Sequence, residues 1–307
     1  AGAREGGAMI EAGPKQQARP AIGFIGLGLM GHAFTRRLCA CGYAVTGYDL
    51  VPEKLEAAAR HGVRPAASAA EVAQASDLVQ VCVMTASDLE QAVFGDQGVA
   101  AAASPQKILI DHSTTEVETT RRFAARLGET GMGWIDAPVS GGPPAAAAGT
   151  LAIMAGGEAA HLARAASLLA DLGRCTHMGP VGSGQVTKMV NQVLVLANYC
   201  VLAEALSLAE AGGVDAARIP EALGAGYAGS TMLQRLYPRM LARDFAPAGY
   251  AFQALKDLDM VQALAKALTV PTPMTSQAAT LFRILNAKGH GRLDGIAVLR
   301  LFDREPV

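Results

Sequence analysis

Three glycines at fixed spacing, Gly26, Gly28 and Gly31, stand between a strand pattern over residues 21–26 and a helix pattern over 29–41. No other feature limits the fold so tightly. In that position the first glycine permits a tight turn, the second lets the backbone approach a pyrophosphate, and the third lets helix and strand pack closely. The helix start, with Leu29 and Met30, then offers unpaired N–H groups to phosphate oxygens. In a chain of 34 glycines the triplet alone weighs little. Asp49 gives it weight: it ends a second strand pattern, 44–49, where an acidic group accepts hydrogen bonds from ribose hydroxyls. A packing turn without ligand is the bland alternative. The spacing predicts a dinucleotide held by Gly26, Gly28, Leu29, Met30, Gly31 and Asp49. A carboxylate at 49 repels a 2′-phosphate, and Leu50, Val51 and Pro52 bring no cation. NAD is therefore expected, with NADP possible.

The same alternation continues. Strand patterns at 77–83 and 107–111 are each followed by a helical stretch, and further strands are expected at 133–136 and 151–156. Apolar residues on both faces of the early strands imply helices covering both sides of a parallel sheet. After Gly182 the strand patterns stop. Residues 185–211 form one helical pattern, apolar nearly all round, which predicts a helix buried on every face. Shorter helical stretches follow at 216–223, 231–243, 252–268, 276–286 and 294–302. The expected fold class is α/β: an N-terminal Rossmann-like, doubly wound parallel sheet over residues 20–182, then an all-α substrate and oligomerisation domain over 183–307 built around one long central helix. Residues 1–19 read as a flexible extension, and the alanines at 145–148 as composition bias.

Composition removes other classes. A chain 51% apolar and 17% charged is too apolar to be a disordered regulator. Its 26 basic and 27 acidic residues, without a long run of either, argue against a nucleic-acid partner. The most apolar stretch, 193–203, is far short of the ~20 residues needed to cross a bilayer. The first twenty residues lack the apolar core of a signal peptide, so a cytoplasmic protein is expected. Five cysteines without a C-x-x-C pair read as small buried hydrophobes in a reducing compartment. No cluster of His, Cys, Asp or Glu has ligand spacing, so no metal is expected.

Lys188 is the most informative residue outside the glycine loop. Only seven lysines occur against nineteen arginines, and this one stands early in the apolar helix, after Gly182-Ser183-Gly184. Asn191 and Gln192, three and four residues on, share its face. Burial lowers a lysine pKa toward neutrality and suits a general acid or base; a lysine reaching out to solvent is the competing reading. Ser140-Gly141-Gly142 follows a strand and would lie at the carboxyl edge of the sheet, where such folds bind ligands. A serine before two glycines exposes an oxygen and open N–H groups, which suits a carboxylate. Ser113 and Thr114 end another strand and place hydroxyls beside cofactor or substrate.

In these stretches, GFIGLGLMG (23–31), DAPVSGG (136–142), GSGQVTKMVNQ (182–192) and KDLDM (256–260), the chain resembles the β-hydroxyacid dehydrogenases. That family includes 3-hydroxyisobutyrate, L-threonate and tartronate semialdehyde-reducing enzymes. The resemblance implies Lys188 as the catalytic lysine, with Ser140, Gly141 and Gly142 on the substrate carboxylate and Ser113 nearby. It implies Val83 and Met84 in the nicotinamide cleft, and Lys256 reaching back to the cofactor. It also implies a small 3-hydroxy acid or semialdehyde as substrate, and a homodimer or homotetramer. Asn191-Gln192, where many members carry two asparagines, is similar to the tartronate semialdehyde reductases; Val83-Met84-Thr85 leans toward the threonate branch. Where many members have V-T-M-L-P, the chain lacks the proline. A non-catalytic nucleotide-binding or reader protein would not need the lysine, the amides and the serine–glycine turn together.

Overall fold

The computed structural model describes residues 19–303. The first half alternates strand and helix: β1 (Ile22–Ile25), α1 (Leu29–Ala40), β2 (Val45–Tyr48), α2 (Pro52–Ala59), β3 (Arg64–Pro65), α3 (Ala69–Gln74), β4 (Leu78–Val81), α4 (Ala86–Phe94), β5 (Ile108–Asp111), α5 (Val117–Gly128) and β6 (Gly133–Asp136). Then come β7 (Val139–Ser140), α6 (Gly142–Ala148), β8 (Leu151–Gly157), α7 (Ala159–Leu172) and β9 (Gly173–Gly179). The strands form one sheet in the order β3-β2-β1-β4-β5-β6-β8-β7, with β9 on β8. β1 to β6 are mutually parallel, whereas β8 runs antiparallel to β6 and β7.

Alternate residues of the central strands enter two cores. Phe24, Ile108, Ile110 and Ile135 pack with Phe34 and Leu38 of α1 and Leu168 of α7. Val79, Val81, Leu109 and Trp134 pack on the other face with Val72 of α3 and Phe123 and Leu127 of α5. This is the two-sided burial that a parallel sheet requires. The register aligns Ile25, Val81, Asp111 and Asp136 across four neighbouring strand ends. The loops carrying the sequence motifs therefore leave the sheet at one edge.

The second half is helical: α8 (Ser183–Ala211), α9 (Ile219–Leu223), α10 (Thr231–Leu241), α11 (Ala251–Ala267) and α12 (Pro273–Ala287), closed by a 3₁₀ turn over Gly295–Leu301 where an α-helix was expected. Leu196, Ala203 and Leu206 of α8 pack with Tyr237, Met240, Leu258, Phe282 and Leu285.

Three expectations need correction. Residues 145–148 belong to α6, which ends at Gly149 in the left-handed region, φ +70°. The five cysteines are free thiols, but only Cys200 is buried and the other four are partly exposed. Helix α8 is not covered on every face: Val190, Leu194, Val201 and Leu208 are 57, 61, 55 and 74% exposed and form one stripe. The whole helix, 29 residues with a mean hydropathy of 1.6 in its most apolar window, is long and apolar enough to cross a bilayer. Scanning 193–203 alone understated that. Its other side packs against α10, α11 and α12, and its first turns lie on the sheet edge. The extension expected over residues 1–19 lies outside the described residues, except that Arg19 pairs with Asp171 at 3.0 Å.

Candidate active site

A helix start leaves several backbone N–H groups without partners, and α8 has no side-chain cap of its own. Asp136, at the end of β6, supplies it from 46 residues away: its two carboxylate oxygens accept from Gly182 N at 2.8 Å and Gln185 N at 3.0 Å. A carboxylate there also faces the positive end of the helix dipole. Gly182 takes φ +92°, and a side chain at Gly184 would collide with the Met154 carbonyl and with Asp136. Close approach of helix to sheet thus explains the Gly182-Ser183-Gly184 sequence. Gln185, fully buried, donates through Nε2 to the Ser113 carbonyl at 2.8 Å and accepts from Thr115 N at 3.3 Å. Two strand ends are now tied to the first turn of α8.

Lys188 follows one turn later. It is 8% exposed, and its Nζ donates to the Val139 carbonyl at 2.8 Å, next to Ser140. Burial holds its pKa below the ordinary lysine value, the negative charge of Asp257 opposes that, and the positive charge of Lys256 reinforces it. Ser140 is half-buried on β7, paired with Ala152. Gly141 and Gly142 follow at φ +126° and +67°, where a side chain would be strained, and a Cβ on Gly142 would meet no atom nearer than 3.8 Å. The lysine of the helical half and the serine–glycine turn of the sheet therefore share one place.

The amides behind Lys188 form a chain. Asn191 donates to Gln192 Oε1 at 2.8 Å, and Gln192 donates to Asp257 Oδ2 on α11. Lys256 Nζ lies 3.3 Å from Asp257 Oδ1 and donates to the carbonyls of Met84 at 3.1 Å and Thr114 at 2.8 Å. Ser113 is buried, and its hydroxyl accepts from Val83 N at 3.0 Å. Val83, Met84, Ser113 and Thr114 are thus drawn to one rim and held by a lysine from the opposite half.

At the other end of the edge, Gly26 takes φ +88° and presses against the Cys82 carbonyl, while Gly31 packs on the Gly26 carbonyl. A Cβ on Gly28 would meet nothing within 4 Å among the described residues. Gly28 precedes α1 without a side-chain cap, and Leu29 behind it is 42% exposed, so the first N–H groups of α1 face open space. That room and those donors fit a pyrophosphate. Asp49 Oδ2 accepts from Leu27 N at 2.7 Å and Oδ1 from Val51 N at 2.8 Å, which fixes the carboxylate beside the glycine loop. Lys54 Nζ lies 3.7 Å from it, a cation that the sequence immediately after Asp49 did not show.

Sequence reasoning assigned no part to Asp136, Gln185 or Asp257. All three stood inside quoted motifs: Asp136 opens DAPVSGG, Gln185 is the fourth residue of GSGQVTKMVNQ, and Asp257 follows Lys256 in KDLDM. An acidic residue at an apolar strand end or on a helix core face was the available signal.

Comparison with known proteins places both halves of the chain in one family. Residues 21–179 match the NAD-binding domain of 6-phosphogluconate dehydrogenase, and residues 182–302 match the NAD-binding domain of NADP-dependent 3-hydroxyisobutyrate dehydrogenase. The chain is 35% identical to 2-hydroxy-3-oxopropionate reductase of Escherichia coli, over 92% of its own length and 97% of that protein's. It is 34% identical to L-threonate dehydrogenase of Cupriavidus necator, over 92% and 95%. A solved 3-hydroxyisobutyrate dehydrogenase from Salmonella typhimurium superposes with a TM-score of 0.84 at 29% identity, over 92% of this chain and 99% of that one. The two family matches together span both halves of the chain, and the chain belongs to the β-hydroxyacid dehydrogenase family, NAD(P)-dependent oxidoreductases that act on hydroxyl groups.

Proposed function

We propose that the chain is a 2-hydroxy-3-oxopropionate (tartronate semialdehyde) reductase that prefers NAD(H) and oxidises the matching 3-hydroxy acid in reverse. The observation that carries this reading is the contact of Lys188 Nζ with the Val139 carbonyl, which sets a buried amine beside Ser140. When bound, the nicotinamide supplies or accepts the hydride. Gly26, Gly28, Leu29, Met30 and Gly31 hold the pyrophosphate, Asp49 the adenosine ribose, and Val83, Met84 and Thr114 line the nicotinamide end. Lys256 pins that rim. Ser140, Gly141 and Gly142, with Ser113, hold the substrate carboxylate and so choose which carbon is presented. In reduction, Lys188 gives a proton to the carbonyl oxygen; in oxidation it takes the proton of the hydroxyl. Asn191 and Gln192 orient the amine and the substrate. Such acid–base help contributes typically ~10²–10⁴ in rate, and positioning contributes much of the rest.

Support for this substrate is the 35% identity to a 2-hydroxy-3-oxopropionate reductase, together with Asn191-Gln192. Support for NAD is the fixed Asp49 carboxylate, where a 2′-phosphate would be repelled. The exposed stripe on α8 is covered by a second copy of the chain, giving a homodimer or homotetramer. Kinetics with tartronate semialdehyde, L-threonate and 3-hydroxyisobutyrate, each with both nucleotides, tests the substrate. The expected result is a kcat/KM for tartronate semialdehyde with NADH at least about tenfold above every other pairing. A higher value for either of the other acids would reassign the enzyme within its family.

A further inference from the structure

The tips of β4 and β5 are tied together by side chains where the sheet hydrogen bonds end. Ser113 is the knot. Its hydroxyl accepts from Val83 N at 3.0 Å, its carbonyl accepts from Gln185, and its own N–H donates to Asp111 Oδ1 at 2.9 Å. Asp111 differs from the rest of this set. It has no solvent contact, and its Oδ2 is buried with no hydrogen-bond partner among the described residues. An unpartnered buried carboxylate oxygen is costly. The turn alone does not require it, because an asparagine oxygen would accept the Ser113 N–H as well. What the acid adds is charge, and a charged acceptor makes a markedly stronger hydrogen bond than a neutral one.

We propose that Asp111 is a positioning residue whose negative charge fixes Ser113, and through it the Val83–Met84 backbone, in the arrangement that bound NAD(H) requires. This rests on the reading of that rim as the nicotinamide end. The groups around Asp111 are few. Asp136 on β6 opposes its ionisation and Lys256 on α11 favours it. Cys82 after β4, near Lys188 of α8 and Asp111, stays a neutral thiol, pushed up to about 12 by burial. His112 turns its ring away, to the Ala137 carbonyl and Gln80. Burial pushes the Asp111 carboxyl up to about 7, against the hydrogen bonds from Ser113. The charge is therefore present above that pH and lost below it, and the hold on Ser113 weakens with it to that of a neutral acceptor.

The test is NADH binding without substrate, followed by nucleotide fluorescence from pH 6 to 8.5, for the wild type, Asp111→Asn and Ser113→Ala. Wild-type affinity is expected to tighten about fivefold across that range, as one unit of pKa coupling gives for a group titrating near 7 in the free protein. Asp111→Asn, of similar shape but neutral, is expected to bind at the wild-type acid-limb affinity at every pH. Ser113→Ala keeps the charge and loses the relay, and is expected to show the same flat profile; it decides the matter if the asparagine variant fails to fold. Wild-type affinity and slope in either variant would overturn the proposal alone. Absence of NADH binding at every pH in the wild type would overturn the nucleotide reading and this proposal together.

Discussion

Lys188 is a residue whose role depends on what desolvates it. Among the described residues its ammonium has one hydrogen-bond acceptor, the Val139 carbonyl, and the nearby charges oppose one another: Asp257 favours the protonated form and Lys256 disfavours it. Oxidation needs the free amine, so its rate is expected to rise with pH through an ionisation below the ordinary lysine value. Asp257 holds that ionisation up. In Asp257→Asn the rising limb of the oxidation profile is therefore expected to move to lower pH, measured as kcat/KM against pH. A limb at the wild-type position would show that Asp257 acts only through Gln192. The lysine itself was legible in the sequence because it is rare in this chain and interrupts an apolar helix. Asp257 was not, because its hydrogen-bond partner Gln192 comes from α8, 65 residues away, and no local pattern marks that distance.

Among the elements, α8 joins the two halves. Its start is capped from β6, its first turns reach the Ser113 loop and Val139, and its remaining length is the core of the helical half. The sequence showed its extent and its apolar character, but not which side lacks cover. Uniform apolarity has no moment to point inward, so the stripe Val190, Leu194, Val201 and Leu208 could not be told from the core positions beside it. Leu194→Asp places a charge where it costs the single chain little, since the position is 61% exposed. The oligomer proposed above is expected to be lost with cooperative melting retained, read by light scattering after size exclusion. An unchanged mass would remove this stripe from the interface. Strand β9 was missed for a related reason: it is an edge strand that leaves Arg174, Thr176, His177 and Met178 exposed and so shows no buried face. Strand β7 has only two residues, and α6 was hidden in an alanine run that carries no periodicity.

For the whole molecule, both halves were legible, since each has its own hydrophobic period: apolar strand runs before Gly182 and helical spacing after it. How they meet was not. The junction is made of polar bonds between residues far apart in the chain, among them Asp136 with Gly182 and Gln185, and Lys256 with Met84 and Thr114. Those bonds set the sheet edge against the two helices that carry Lys188 and Lys256, and the proposed chemistry needs both sides of that crevice. Turnover and NADH affinity measured side by side in Lys188→Ala separate its two ends. A loss of ~10²–10⁴ in kcat is expected, with NADH affinity held within about twofold of wild type. Turnover close to wild type in that variant would contradict the proposed chemistry.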